Sequence, residues 1–233
     1  APAEVVHSLA KWKRLKLSEL GVTPGRGIYT DMNALRPDED LDNIHSIYVD
    51  QWDWETVITP GQRSLEFLKK TVRRLYEAIK VTENKLYVEF PQIEPMLPED
   101  IHFIHSEELL QMYPDMSPKE RENAVTRQYR AVFIIGIGAE LSDGRPHDGR
   151  SADYDDWSTV NEEGYMGLNG DLLLWNPILE SAFEISSMGV RVDEEALRRQ
   201  LDMRGEADKA GLLYHRMLLD GKLPYTICGG IGE

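Results

Sequence analysis

Four groups of residues in this 233-residue chain have the type and spacing to do chemistry. Arg36 stands where a β-rich run ends, and a guanidinium offers a planar fork of donors matched to two phosphate oxygens. Asp171 and Glu184 lie on two runs that should pair, so both carboxylates can face one cavity and hold a divalent cation between them. Gln51 and Asp53 are two apart on a strand and therefore point to one side, with Asp50 and Trp52 on the other. Asp153-Tyr-Asp-Asp156, beside Arg145, His147, Asp148 and Arg150, is dense enough in acid to fix an ammonium group. Each group also has a plainer reading. Arg36 can pair with Asp38 or Glu39 in a solvated turn, the acids can solubilise edge strands, and the acidic loop can simply face water.

If phosphate is bound, it is held without the glycine-rich loop Gly-x-x-x-x-Gly-Lys-Ser/Thr, which the sequence lacks. The six histidines show no His-Glu-x-x-His or other compact zinc pattern, and no EF-hand calcium loop is present. Cys228, the only cysteine, excludes an internal disulfide and is read as a small apolar filler. Trp52, Trp54, Trp157 and Trp175 are read as core or pocket wall.

These groups need a scaffold. Val5 to Arg14 forms a first element, followed by β-rich runs at Ile28 to Leu35 and Ser46 to Trp54 joined by an acidic turn, Pro37 to Asn43. Between Gly61 and about Val88, the residues Leu65, Leu68, Val72, Leu75 and Ile79 recur at helical spacing on one face. Ser117-Pro-Lys-Glu120 is a capping box with proline at the first helical position, starting a helix that ends near Arg130. Ala131 to Gly136 reads as a buried central strand, and Ser142 to Thr159 as a polar loop. Leu172 to Trp175 and Phe183 to Val192 make another strand pair, and Asp193 caps a helix that stops before Gly205. A further helical segment covers Glu206 to Leu219. The sum is one domain of α+β class, a mixed sheet of about five strands with helices outside it.

A net charge of -15 repels phosphate backbones and argues against nucleic acid as the principal partner. No run approaches the ~20 apolar residues of a membrane span, and with one cysteine and no visible targeting segment the expected compartment is the cytoplasm. The chain begins without Met and stops in Cys228-Gly-Gly-Ile-Gly-Glu233, so it reads as a fragment.

Several blocks, in order and spanning nearly the whole chain, resemble the ammonia-dependent aspartate–ammonia ligases, built on the catalytic domain of class II aminoacyl-tRNA synthetases. They are His7-Ser-Leu-Ala-Lys-Trp-Lys-Arg14, Ala34-Leu-Arg-Pro-Asp-Glu-Asp40, His45-Ser-Ile-Tyr-Val-Asp-Gln-Trp-Asp-Trp-Glu55, Asp153-Tyr-Asp-Asp-Trp-Ser158, Gly167-Leu-Asn-Gly-Asp171 and Phe183-Glu-Ile-Ser-Ser-Met-Gly-Val-Arg191. The resemblance implies a mainly antiparallel sheet flanked by helices, a homodimer, and the conversion of L-aspartate, ATP and ammonia to asparagine, AMP and diphosphate through a β-aspartyl adenylate. It implies that Arg36 holds the α-phosphate and that Gln51 orients the activated carboxyl. Asp53 and Asp155 would take the substrate ammonium, with Ser8, Lys13 and Ser187 near its α-carboxylate. His45 and Ser46 would border adenine, Asp171 and Glu184 would meet Mg2+ and ATP phosphates, and Arg191 would face the same ligand. Family members carry an N-terminal helix with an acidic residue for ammonia and a third motif whose arginine packs on adenine, and both are expected to lie outside residues 1–233. Blocks at Arg36 to Asp40 and Phe183 to Arg191 also resemble aspartyl- and asparaginyl-tRNA synthetases, and a non-catalytic aspartate- or asparagine-sensing paralogue is the remaining alternative.

Overall fold

The computed structural model describes residues 8–36, 41 and 45–232. Its frame is one seven-stranded sheet in the order β1-β2-β7-β6-β5-β4-β3. The strands are β1 (Gly27–Leu35), β2 (Tyr48–Val57), β3 (His102–His105), β4 (Ala131–Ile135), β5 (Asn169–Asn176), β6 (Ser181–Val190) and β7 (Thr226–Gly232). All neighbours pair antiparallel except β3 and β4, which run parallel. Two strands exceed the five expected from sequence. β3 is only four residues long, and β7 runs through Cys228-Gly-Gly-Ile-Gly232, a glycine-rich stretch to which the sequence assigns no element.

Local signals set the helices. In α2 (Leu65–Glu89) the Ser64 hydroxyl accepts from the Phe67 amide at 3.2 Å, and Leu65, Leu68, Val72 and Tyr76 are buried on one face. That face lies on Phe133, Ile135, Leu172, Met188, Val190 and Ile227 of the sheet. In α4 (Pro118–Tyr129) the Ser117 amide donates to Glu120 Oε2 at 2.8 Å while Ser117 Oγ accepts from the Glu120 amide, as the capping box requires. With α3 (Ser106–Met112), α4 covers the opposite face over Val132, Ile134, Leu173 and Ala182. Asp193 caps α5 (Glu194–Arg204), which ends at Gly205 with φ 68°. It packs with α6 (Leu213–Leu219) and the 150s loop in a third apolar cluster. The first helix, α1 (Ala10–Glu19), buries Lys13 and Arg14 and packs on β1 and β2.

The face opposite α2 is thus roofed by α3 and α4 over β4 and β5 and by α1 over β1 and β2. An opening is left over β6 and β7. The wall of tryptophans expected from sequence is only partly there. Trp157 is fully buried, whereas Trp52 is 66% exposed, because it alternates with Gln51 and Asp53 and points away from the opening.

Candidate functional site

Antiparallel register aligns the functional side chains. Residues opposite one another share a face, so Thr30, Asp53, Gly230, Ser187 and Asp171 form one row across β1, β2, β7, β6 and β5. The neighbouring rows place Gln51 opposite Gly232, and Glu55 opposite Cys228 and Gly189. Glycine in the middle of this floor has a steric reason. A Cβ at Gly230 would come within 2.7 Å of Gln51 Nε2, and one at Gly189 within 2.6 Å of Asp155 Cγ.

Glu184 and Ser187 are three apart and would normally face opposite ways. The register shifts between Leu172 and Leu173, which pair with Ser186 and Glu184, so Ile185 is an extra residue in β6. This β-bulge turns Glu184 onto the face that carries Ser187 and Asp171. β5 and β6 are interior strands, so the edge-strand explanation of their carboxylates does not apply.

Above the floor is a cleft of about 440 Å³ whose lining includes Arg36, His45, Ser46, Gln51, Glu184 and Ser187. The Arg36 amide donates to the Ile47 carbonyl at 2.8 Å, which fixes the backbone at the end of β1. The turn through Pro37 to Asp40, including any pairing of Arg36 with Asp38 or Glu39, lies outside the described residues. Lys119, Asp148 and Arg150 complete the far wall. In sequence Lys119 belongs only to a helix-capping motif, while Asp148 and Arg150 are read with the acidic loop that follows; the structure places them on the cleft instead.

Next to the cleft lies a buried cluster of opposite charges. Lys13, with no exposed surface, makes an ion pair with Asp53. Arg191 Nη1 donates to Asp155 Oδ1 at 3.0 Å and its other terminal nitrogen lies 3.8 Å from Glu55 Oε2. Thr226 Oγ1 donates to Glu55 Oε1 at 2.6 Å. Burial pushes the Glu55 carboxyl up, with Arg191 and Thr226 opposing. Glu55 extends the Gln51 and Asp53 alternation by one further step, a signal that sequence reading could have followed. Cys228 sits on this floor, its thiol 3.4 Å from Asp155 Oδ1, and burial holds it protonated. Ser8 is used locally, accepting from the Ala10 amide at 3.1 Å at the start of α1.

The acidic loop divides its tasks. Asp155 joins Arg191, whereas Asp156 receives Arg63 at 2.6 Å and the Thr159 hydroxyl at 2.7 Å, and Asp153 receives Lys11 at 2.7 Å and pairs with His215 at 2.8 Å. One of its acids therefore reaches the charged pocket and the others hold the loop.

Asp171 and Glu184 behave as a pair. Burial first pushes the Asp171 carboxyl up, against the adjoining Arg150 guanidinium. Glu184 keeps an exposed edge, and it is the charge of Asp171 first, then burial, that pushes it up to about 8. A carboxyl raised in the folded state stabilises it fully below the ordinary value near 4.5 and loses that contribution as pH rises through the folded value near 8. The ligand-free protein is therefore expected to lose thermal stability between these limits. Glu184→Gln should flatten the slope, and an unchanged profile of melting temperature against pH would refute the raised Glu184 carboxyl. Among the described residues, no three His, Cys, Asp or Glu side chains gather as a metal cluster.

Residues 1–233 match a family described as aspartate-ammonia ligase. A protein of that name from Parabacteroides distasonis is 59% identical over 231 residues, covering 99% of this chain and 67% of its own length. Another of that name from Bacteroides thetaiotaomicron is 58% identical over 233 residues, covering 100% of this chain and 68% of its own. The chain thus spans about two thirds of the relatives it matches. Among solved structures, Entamoeba histolytica asparaginyl-tRNA synthetase in complex with asparaginyl-adenylate aligns with a TM-score of 0.67 at 12% identity, over 100% of this chain and 52% of that one. The Pyrococcus horikoshii asparaginyl-tRNA synthetase complexed with asparaginyl-adenylate aligns with a TM-score of 0.60 at 14% identity, over 97% and 50%. At those identities the likeness concerns the fold, a class II aminoacyl-tRNA synthetase-like α+β sheet flanked by helices.

Proposed function

The chain belongs to the aspartate–ammonia ligase family, an enzyme family, and we propose that it joins L-aspartate and ammonia at the expense of ATP, through a β-aspartyl adenylate. The observation that carries the reading is the adjacency of two sites on one sheet face. The cleft lined by Arg36, Gln51 and Glu184 suits a nucleotide, and the buried charges of Lys13, Asp53, Asp155 and Arg191 beside it match the two charges of a zwitterionic amino acid.

In the first step an oxygen of the aspartate side-chain carboxylate attacks the α-phosphorus, and the bond from that phosphorus to the diphosphate oxygen breaks. Arg36 stabilises the negative charge that gathers on the α-phosphate oxygens, while the Gln51 amide orients the attacking carboxyl. Asp53 and Asp155 take the α-ammonium, and Lys13, Ser187 and Ser8 lie toward the α-carboxylate. Arg191, which the resemblance set against ATP, is buried beside Asp155 and Glu55 outside the cleft lining, so it faces the amino acid from the floor. Binding the amino acid exchanges the internal pairs Lys13 with Asp53 and Arg191 with Asp155 for pairs with the ligand, so no buried charge is left alone. In the second step the ammonia nitrogen attacks the activated carbonyl carbon, gives up a proton, and displaces AMP. Neutral ammonia is the nucleophile, so ammonium must first lose a proton.

His45 and Ser46, at the cleft edge, border the adenine. Asp171 and Glu184 suit Mg2+, which takes one or two carboxylates and fills its remaining positions with water and phosphate oxygens. Asp171 Oδ1 is buried with no hydrogen-bond partner among the described residues, an acceptor left over for such an ion. When bound, Mg2+ would supply charge neutralisation at the phosphates.

We further propose that residues 1–233 act as a single catalytic domain, because one sheet carries both sites. A homodimer in the cytoplasm fits the family and the single cysteine. Analytical ultracentrifugation checks the dimer, with a monomer mass refuting it. The reaction is tested by mass spectrometry after incubating the parent-length protein with aspartate, ATP, Mg2+ and ammonium. Asparagine with stoichiometric AMP is the expected result. ATP binding without asparagine would move the reading to a sensing paralogue.

A further inference from the structure

Arg150 has a fixed stem and a head group turned into the cleft. Its carbonyl accepts from Arg204 Nη2 at 3.3 Å, and its Cβ fills the space left by Gly138, where an added Cβ would approach it to 2.8 Å. At the other end, Nη1 donates to Asp148 Oδ2 at 2.8 Å and to the Gly149 carbonyl at 2.9 Å, while Nη2 makes a close ion pair with Asp171 Oδ2. The guanidinium thus faces the carboxylate pair that, on the reading above, receives a divalent ion.

Resting on that reading, we infer that Arg150 is a stand-in cation: it holds the Asp171 and Glu184 pair while the cleft is empty and yields it to the metal when nucleotide phosphates arrive to accept its guanidinium. An ion that enters at the free Asp171 Oδ1 meets the guanidinium on Oδ2 of the same carboxylate, and their like charges repel at such range. Released alone, the guanidinium would keep only Asp148 as a charged partner among the described residues. Released beside a triphosphate in the same cleft, it gains phosphate oxygens that match its fork. Metal and nucleotide therefore bind with positive coupling beyond their affinity for each other in solution, and the nucleotide-free protein resists divalent ions. Arg150 is a positioning residue acting through the acid pair.

The test titrates Mn2+ into wild-type protein, Arg150→Gln and Arg150→Lys without nucleotide, following free Mn2+ by electron paramagnetic resonance. It is repeated with α,β-methylene-ATP, whose own Mn2+ binding is subtracted from a protein-free titration. Removing the competitor should tighten nucleotide-free Mn2+ binding on the order of tenfold in Arg150→Gln and shrink the coupling to nucleotide. Arg150→Lys, with the charge but not the fork, should fall between. A role confined to packing would leave Mn2+ affinity unchanged or lower it, and that result in the folded Gln variant overturns the inference. If circular dichroism shows that variant unfolded, the Lys variant decides by the same criterion. Wild-type protein that binds Mn2+ neither alone nor with the nucleotide would overturn the ATP and metal reading itself.

Discussion

Arg36→Ala is expected to slow adenylate formation by roughly ten- to over a hundredfold for each phosphate bond lost, since charge-assisted hydrogen bonds contribute about 1.5–3 kcal/mol each and about 1.4 kcal/mol is a factor of ten in rate. Aspartate affinity should change far less. The proposed amino-acid site is the charge cluster of Lys13, Asp53, Asp155 and Arg191, and Arg36 belongs to the cleft beside it. The measurement is single-turnover adenylate formation set against aspartate calorimetry. Equal losses in both would reject Arg36 as the α-phosphate ligand.

Asp53→Asn should act on the other side of that divide, weakening aspartate binding and sparing ATP, because it removes the counter-charge for the α-ammonium. It should also destabilise the ligand-free protein by about 3–5 kcal/mol, the usual effect of removing one partner of a buried ion pair, since Lys13 is left with no exposed surface and no salt-bridge partner among the described residues. The two effects are separable. Denaturant unfolding reads the second, and calorimetry with aspartate on protein that is still folded reads the first. Unchanged aspartate affinity would remove Asp53 from the substrate site even if stability fell.

Much of the cleft was legible in the sequence because its residues follow short-range rules. Gln51 and Asp53 share a face through the two-residue period of a strand, and Arg36 marks the end of β1. The long helix and the capping box at Ser117 follow from local patterns for the same reason. What escaped depends on tertiary register. β7 shows no strand pattern because its glycines lack side chains to betray one, and at Gly230 the reason is the neighbouring strand, where Gln51 and Asp53 need the space. The bulge at Ile185 leaves no mark in a sequence of ordinary strand residues, yet it decides which way Glu184 points. Lys119, in the first turn of α4, meets Asp148 and Arg150 only because their loop folds back to it along a path that no local rule dictates. The roles drawn from family resemblance went further than the spacing alone, which left Arg36 and the acid pair open to plainer explanations.

The row of Asp53, Gly230, Ser187 and Asp171 crosses three gaps between adjacent strands. At about 4.8 Å per gap, the backbone sets roughly 14 Å between Asp53, proposed for the ammonium, and Asp171, proposed for the phosphate end. The sheet is therefore a ruler, graduated by hydrogen bonds that no side-chain substitution can restretch. A variant that accepts a longer amino acid, such as glutamate, must find the extra room in what overhangs the floor, in α1 with its Lys13 or in the loop with Asp155. Changes of substrate in this enzyme should consequently collect in the roof while the strands beneath keep their length.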